Sequence, residues 1–295
     1  MTPILKQFFI FFILGIVPST LYAISENQER GMPPIVSASW LLGHIYDQDI
    51  VIIDLRTKEA FEQGHIKGAV NLPPAETLFT ANKMLPSLEE LTKTFGNAGI
   101  STNTRVIAYD EGKFIWAARS YWILETLGHK KVALLNVGYG NWEGVPIPTE
   151  TTSSHPLPKV FIPQVDNTKL QTKLGTLVSI GNKTIIDGRQ RSHYLGLESK
   201  AKHFGHIPTA QNYPCTQTYE VTQTGNKMRS LEELRFVYDH LPQNKDIILY
   251  CDGGAESALN YIVLQELGFH AAVYAGSWFE WGNDDNVPIE NPSQK

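Results

Sequence analysis

The chain has 295 residues, a hydrophobic fraction of 42% and a formal charge of −5, enough apolar material for one large core or two of ordinary size. It carries no basic run and no basic amphipathic helix. Nothing therefore points to a nucleic-acid partner or to binding at a membrane surface.

In chain order, the first predicted element is a secretory signal. Lys6 supplies a positive start, Phe8 to Val17 is an apolar run interrupted only by Gly15, and Pro18 to Ala23 ends on a small residue suited to cleavage. The run is shorter than the roughly 20 apolar residues a membrane span needs. Residues 1–23 are thus expected to be removed on export, leaving a periplasmic or secreted protein with no stable membrane insertion. That compartment is oxidising, so a free thiol in it requires protection or a redox role.

Short β-rich runs follow at Ile50–Ile53, Val106–Tyr109, Val132–Leu135, Thr184–Ile186, Ile247–Tyr250 and Ala271–Tyr274. They alternate with helical patterns at Ser87–Phe95, Trp116–Leu127, Ser230–His240 and Ala258–Leu267. This alternation predicts an α/β fold with mostly parallel sheets flanked by helices. Two domains are expected, at 35–145 and 164–295, joined by a linker at 146–163 rich in Pro, Thr and Ser.

The two domains are copies of each other. Gly64-His65-Ile66-Lys67-Gly68-Ala69-Val70-Asn71-Leu72-Pro73 recurs as Gly205-His206-Ile207-Pro208-Thr209-Ala210-Gln211-Asn212-Tyr213-Pro214, an offset of 141 residues (205 − 64). The same offset carries Asp110, at the end of Val106–Tyr109, onto Cys251, at the end of Ile247–Tyr250. Ile52-Ile53-Asp54-Leu55-Arg56 likewise matches Ile185-Ile186-Asp187-Gly188-Arg189. Features present in both copies are assigned to the fold: His65 and His206 as structural histidines, Asp54–Arg56 and Asp187–Arg189 as strand-end ion pairs. Only the second copy carries the cysteine.

Cys251 is the candidate nucleophile. The loop Asp252-Gly253-Gly254-Ala255-Glu256-Ser257 follows it, and a helix begins behind. Glycines allow successive N–H groups to converge on an anion, and a helix N-terminus adds positive potential at the same point. A thiol placed there is drawn towards its nucleophilic thiolate form. Asp252 and Glu256 act in the opposite sense, since carboxylates beside a thiol raise its pKa and repel an anionic donor. A cysteine-loop phosphatase is disfavoured, because Ser257 stands where that chemistry needs Arg and no Arg or Lys lies between Cys251 and Leu267. His203-x-x-His206 has metal-ligand spacing but no carboxylate or thiolate neighbours in sequence, so no metal site is assigned. Cys215 reads as a small buried hydrophobe. A reversible Cys215–Cys251 disulfide is the alternative, and it requires Cα atoms within about 7 Å.

Taken together, Asp-x-Arg, Gly-His-Ile-x-x-Ala-x-Asn-x-Pro, a strand ending in Cys with a six-residue loop, and Gly276-Ser277-Trp278-Phe279-Glu280-Trp281 resemble a tandem rhodanese of the thiosulfate or 3-mercaptopyruvate sulfurtransferase type. The resemblance runs from about residue 35 to the end, and Asp110 in place of Cys matches the inactive N-terminal domain usual there. It implies two tandem rhodanese-like domains and transfer of a sulfane sulfur through a Cys251 persulfide. The implied donor is a small sulfur-containing anion, the implied acceptor a thiol, cyanide or a protein. No metal and no organic cofactor is implied. The loop residues Asp252, Gly253, Gly254, Ala255, Glu256 and Ser257 would bind the substrate sulfur. The family's substrate-binding Arg falls six residues after the strand-end Asp, which here is His193, with Arg191 two residues earlier. Both are therefore expected to anchor substrate, with Trp278 and Phe279 walling the pocket. Two other readings stay open: a catalytically silent rhodanese scaffold that binds a partner, and a thiol-redox protein using Cys215 and Cys251.

Overall fold

The computed structural model describes residues 30–243 and 246–294. The predicted signal at 1–23 lies outside these residues. In the first half the strands are β1 (Ile35–Val36), β2 (Ile50–Asp54), β3 (Val70–Asn71), β4 (Arg105–Tyr109) and β5 (Val132–Leu135). They form one parallel sheet in the order β1-β5-β4-β2-β3. The second half contributes β6 (Leu170–Gln171), β7 (Thr184–Asp187), β8 (Gln211–Asn212), β9 (Ile247–Tyr250) and β10 (Ala271–Tyr274), again all parallel. Their order, β8-β7-β9-β10-β6, is the first order read from its other edge with each strand replaced by its counterpart. The duplication read from motifs thus extends to topology. Strands β5 and β9, and β4 after its first residue Arg105, are apolar because helices cover both faces of a parallel sheet.

The helices are α1 (Ala38–His44), α2 (Lys58–Gln63), α3 (Pro74–Thr77), α4 (Leu88–Asn97), α5 (Ile115–Thr126), α6 (Lys173–Ser179), α7 (Arg191–Tyr194), α8 (Leu231–Val237), α9 (Ala255–Glu266) and α10 (Ser277–Trp281). Ser87 and Ser230 start α4 and α8 with capping boxes closed by Glu90 and Glu233. Helix α9 begins three residues before its predicted start, at Ala255, because Gly254 turns the chain with φ +89°.

α5 and α9, equivalent helices of the two halves, pack against each other, and one apolar cluster including Trp122, Tyr121, Tyr261 and Ile262 crosses between the halves. Glu125 lies in this seam. It accepts from Tyr261 Oη at 2.7 Å and pairs with Arg30 at 2.7 Å and Lys169 at 3.6 Å. A hairpin of the second half, Tyr219–Thr222 with Gly225–Met228, reaches over the first half, where Asn226 Nδ2 donates to Gly112 O at 2.9 Å.

The stretch expected to be a linker is docked rather than free. Thr149–Glu150 pairs with His65–Ile66, and Phe161 packs on Phe95. The close approach of Lys159 O, which would lie 2.7 Å from a Cβ on residue 96, explains Gly96. His65 and His206 occupy equivalent structural positions, each donating from Nδ1 to a backbone carbonyl (Phe61 O, 2.8 Å; Tyr194 O, 2.7 Å) and stacked on an aromatic ring.

Candidate active site

The two strand-end aspartates set the frame. Asp187 is fully buried and holds Arg189 through both carboxylate oxygens, at 3.0 Å to Nε and 2.6 Å to Nη2, while Tyr250 Oη donates to it at 2.7 Å. Asp54, Arg56 and Tyr109 repeat this arrangement in the first half. Each tyrosine is the last residue of a central strand. The residue that follows it, Cys251 or Asp110, enters the loop from a rigidly held backbone.

The second-half loop is built around sulfur. Cys251 is buried, Gly254 N donates to Sγ at 3.0 Å, and Ser257 Oγ lies 3.6 Å from it. Both glycines are required. A Cβ at Gly253 would meet the Phe279 ring at 2.9 Å, and one at Gly254 would meet Arg119 Nη1 at 2.7 Å in a left-handed backbone.

The first-half loop shows what the same turn does with an anion. Asp110 accepts from the N–H groups of Gly112 at 2.8 Å, Phe114 at 2.9 Å, Trp116 at 3.1 Å and Ala117 at 3.3 Å. Its carboxylate fills the anion nest that the cysteine loop leaves to a thiol. This loop is one residue longer, since α5 begins five residues after Asp110 and α9 four residues after Cys251. The repeat offset accordingly falls from 141 at Asp110/Cys251 (251 − 110) to 140 at Leu124/Leu264 (264 − 124).

Electrostatics at the candidate nucleophile differ from the expectation that the loop alone yields a thiolate. Burial, then Glu256 and Asp252, push the Cys251 thiol up to about 11, against opposing hydrogen bonds from Ser257. Near neutral pH the resting group is the thiol. Burial and the charge of Asp252 also push the Glu256 carboxyl up to about 7. Asp252 pairs with Lys200 at 2.5 Å. A carboxyl whose folded pKa is raised stabilises the fold fully below its unfolded value, and this contribution is lost as pH rises through the folded value. The melting-temperature advantage of Glu256→Gln over the parent should therefore widen from below pH 4.5 to above pH 7 and then level off; an advantage constant across that range would contradict it.

Cys251 opens onto a cleft of about 970 Å³ between the halves. Asp252, Gly253, Ala255 and Glu256 line it with the cysteine, whereas Gly254 and Ser257 contact the sulfur without lining the cleft. Phe279 is a wall, as expected. Trp278 is not: it is fully buried and donates through Nε1 to Ser199 Oγ and His203 O. Apart from Lys200, the other walls come from the first half, notably Pro74, Phe79, Lys83 and Trp116.

Arg191 and His193 are absent from the cleft lining. Arg191 is exposed at the start of α7, and His193 Nε2 faces Glu198 at 3.5 Å. Neither is thereby brought to the cleft, and the cation that this half does bring there is Lys200. No motif marks Lys200 in the sequence. Both cysteines are free thiols, and Cys215 is a buried core residue. His203 pairs with Asp285 at 2.7 Å.

Comparison with known proteins places the rhodanese-like domain on this chain twice, at residues 37–144 and 170–284. The sulfur carrier protein TtuD of Thermus thermophilus is 31% identical over 86% of this chain and 95% of its own length. The thiosulfate sulfurtransferase of Pseudomonas aeruginosa is 28% identical over 88% and 97%. Among solved structures, SseA from Escherichia coli, described with the 3-mercaptopyruvate sulfurtransferases, superposes with a TM-score of 0.73 at 26% identity, covering 84% of this chain and 99% of that one.

Proposed function

This chain belongs to the rhodanese-like domain family as a tandem member, and from that premise we propose that it is a sulfurtransferase whose nucleophile is Cys251. The thiolate of Cys251 attacks the outer sulfur of thiosulfate. The S–S bond breaks, sulfite leaves with its electron pair, and Cys251 becomes a persulfide. With 3-mercaptopyruvate the broken bond is C–S, and the departing enolate of pyruvate takes up a proton. An acceptor thiolate or cyanide then attacks the terminal sulfur and releases Cys251 as thiolate. The observation that carries this reading is the contrast between the two loops. One nest is filled by the Asp110 carboxylate, and the other presents a sulfur to an open cleft with Gly254 N–H already aimed at it.

The test is intact-mass measurement of the reduced protein after incubation with thiosulfate or with 3-mercaptopyruvate. A gain of one sulfur atom supports the reading, and no gain with either donor overturns it. Because the resting thiol lies at about 11, the rate of sulfur uptake should climb with pH, by up to about tenfold per unit between pH 7 and 10. A flat profile would mean that the bound donor already holds Cys251 as thiolate.

Lys200, Asp252 and Glu256 make the cleft entrance mixed in charge. The Lys200–Asp252 pair leaves Glu256 as the carboxylate beside Cys251 that opposes a dianionic donor, with Glu59, Glu76 and Glu111 of the first half also lining the cleft. The substrate-binding roles of the loop residues rest on this geometry, and Arg191 and His193 are not carried forward. Export is also part of the proposal, supported by Lys6, the run Phe8–Val17 and the small residue Ala23. Among the described residues no helix is long and apolar enough to cross a membrane.

A further inference from the structure

Among the described residues, buried arginines follow a rule with one exception. Arg56 pairs with Asp54, Arg189 with Asp187 and Arg30 with Glu125. Arg119, on α5 of the cysteine-less half, is fully buried, and its acceptors are neutral carbonyls: Leu78 O from Nε and Nη2 at 3.1 Å each, and Gly253 O from Nη1 at 2.8 Å. Its guanidinium lies 3.7 Å over the Phe79 ring. A buried cation without a carboxylate is unfavourable unless another anion faces it.

The loop that Arg119 touches is the one that holds the sulfur. Gly253 accepts its hydrogen bond, Gly254 has no room for a Cβ because of it, and Gly254 N donates to Cys251 Sγ. We propose that Arg119 is a positioning residue for the Cys251 loop and the buried counter-cation of the Cys251 sulfur when that sulfur is anionic. The first half, though it lacks the cysteine, thus contributes a charge to the reaction of the second. This rests on the sulfur-transfer reading. The other ionisable groups facing Cys251 are Asp252 and Glu256 of its own loop and helix, Lys200, which is paired with Asp252, and the Cys215 thiol. Burial lowers Arg119 to about 9 while the charge of Cys251 opposes that shift, in keeping with a cation that faces the sulfur.

The discriminating experiment is alkylation of Cys251 by iodoacetamide, a neutral probe, at fixed pH 8, with the modified site identified by peptide mass. Arg119→Lys keeps the charge and loses the planar fork. Arg119→Gln keeps a donor and loses the charge. Arg119→Met loses both and puts an apolar chain in the buried site, a change that leaves no uncompensated charge and gives a second neutral variant if the first does not fold. The expected result is a rate for the Lys variant within about threefold of the parent and a fall of about tenfold or more in each folded neutral variant, corresponding to a pKa change of about one unit. A folded neutral variant that alkylates as fast as the Lys variant would overturn the proposal. Alkylation needs no sulfur donor, so failure of this ordering is distinguishable from failure of the parent protein to take up sulfur.

Discussion

Cys251→Ser should abolish sulfur uptake. The parent protein should gain one sulfur atom from its better donor, and the serine variant none, a loss limited only by detection. The physical reason is that serine keeps the size and hydrogen bonding of the site but not its chemistry. Its hydroxyl is far less acidic than a thiol and cannot be the sulfur-accepting nucleophile at ordinary pH. The fold should be undisturbed, because Cys251 N donates to Ser277 Oγ through the backbone and the loop is held by Gly253 and Gly254 rather than by the side chain. Cys215 provides no substitute: burial drives its thiol well above the usual range, and it packs within the core. Uptake of sulfur by the serine variant would place the nucleophile elsewhere.

Asp187→Ala should have the largest effect on stability, about 3–5 kcal/mol, the range for stripping a buried charge of its partner. The carboxylate is fully buried and accepts from Arg189 N, Nε and Nη2 and from Tyr250 Oη. After its removal Arg189 retains the Gly205 carbonyl at 2.8 Å as a hydrogen-bond acceptor and the Trp278 ring at 4.3 Å, and its Nη1 already lacks a hydrogen-bond partner. Tyr250 directly precedes Cys251, so the loop also loses its anchor. Denaturant unfolding measures the cost. Asp54→Ala, which breaks the equivalent pair in the first half, is the matched control and should fall in the same range. A loss below about 1 kcal/mol at Asp187 would show that water reaches the vacated site and solvates Arg189.

These expectations draw on the two sources of information unequally. The repeated Gly-His-Ile segment, the Asp-x-Arg pairs, the apolar strands and the Cys251/Asp110 asymmetry were all legible in the chain, and the structure places them in matching sheets. Such features are local. A strand declares itself by its apolar run, a left-handed turn by its glycine, a capping box by Ser followed three residues later by Glu, and a duplication doubles each signal.

That Arg191 and His193 do not line the cleft was not legible in this way, because a motif offset says how far along the chain a residue lies and not which residues meet at a cleft between two halves. The acidity of Cys251 was misjudged for a related reason. The nest was visible in Gly253-Gly254, whereas the burial that outweighs it depends on Phe79, Phe279 and α5 closing around the loop. Arg119 left only a trace, a single charge within the apolar run Ile115 to Leu124. Its bond to Gly253 spans 134 residues of sequence. Local periodicity and backbone preference therefore determined the fold and singled out Cys251 as the candidate nucleophile. The cleft, its cations and the protonation state of the thiol were decided only when the two halves packed together, because desolvation and charge pairing depend on distances between segments remote in the chain.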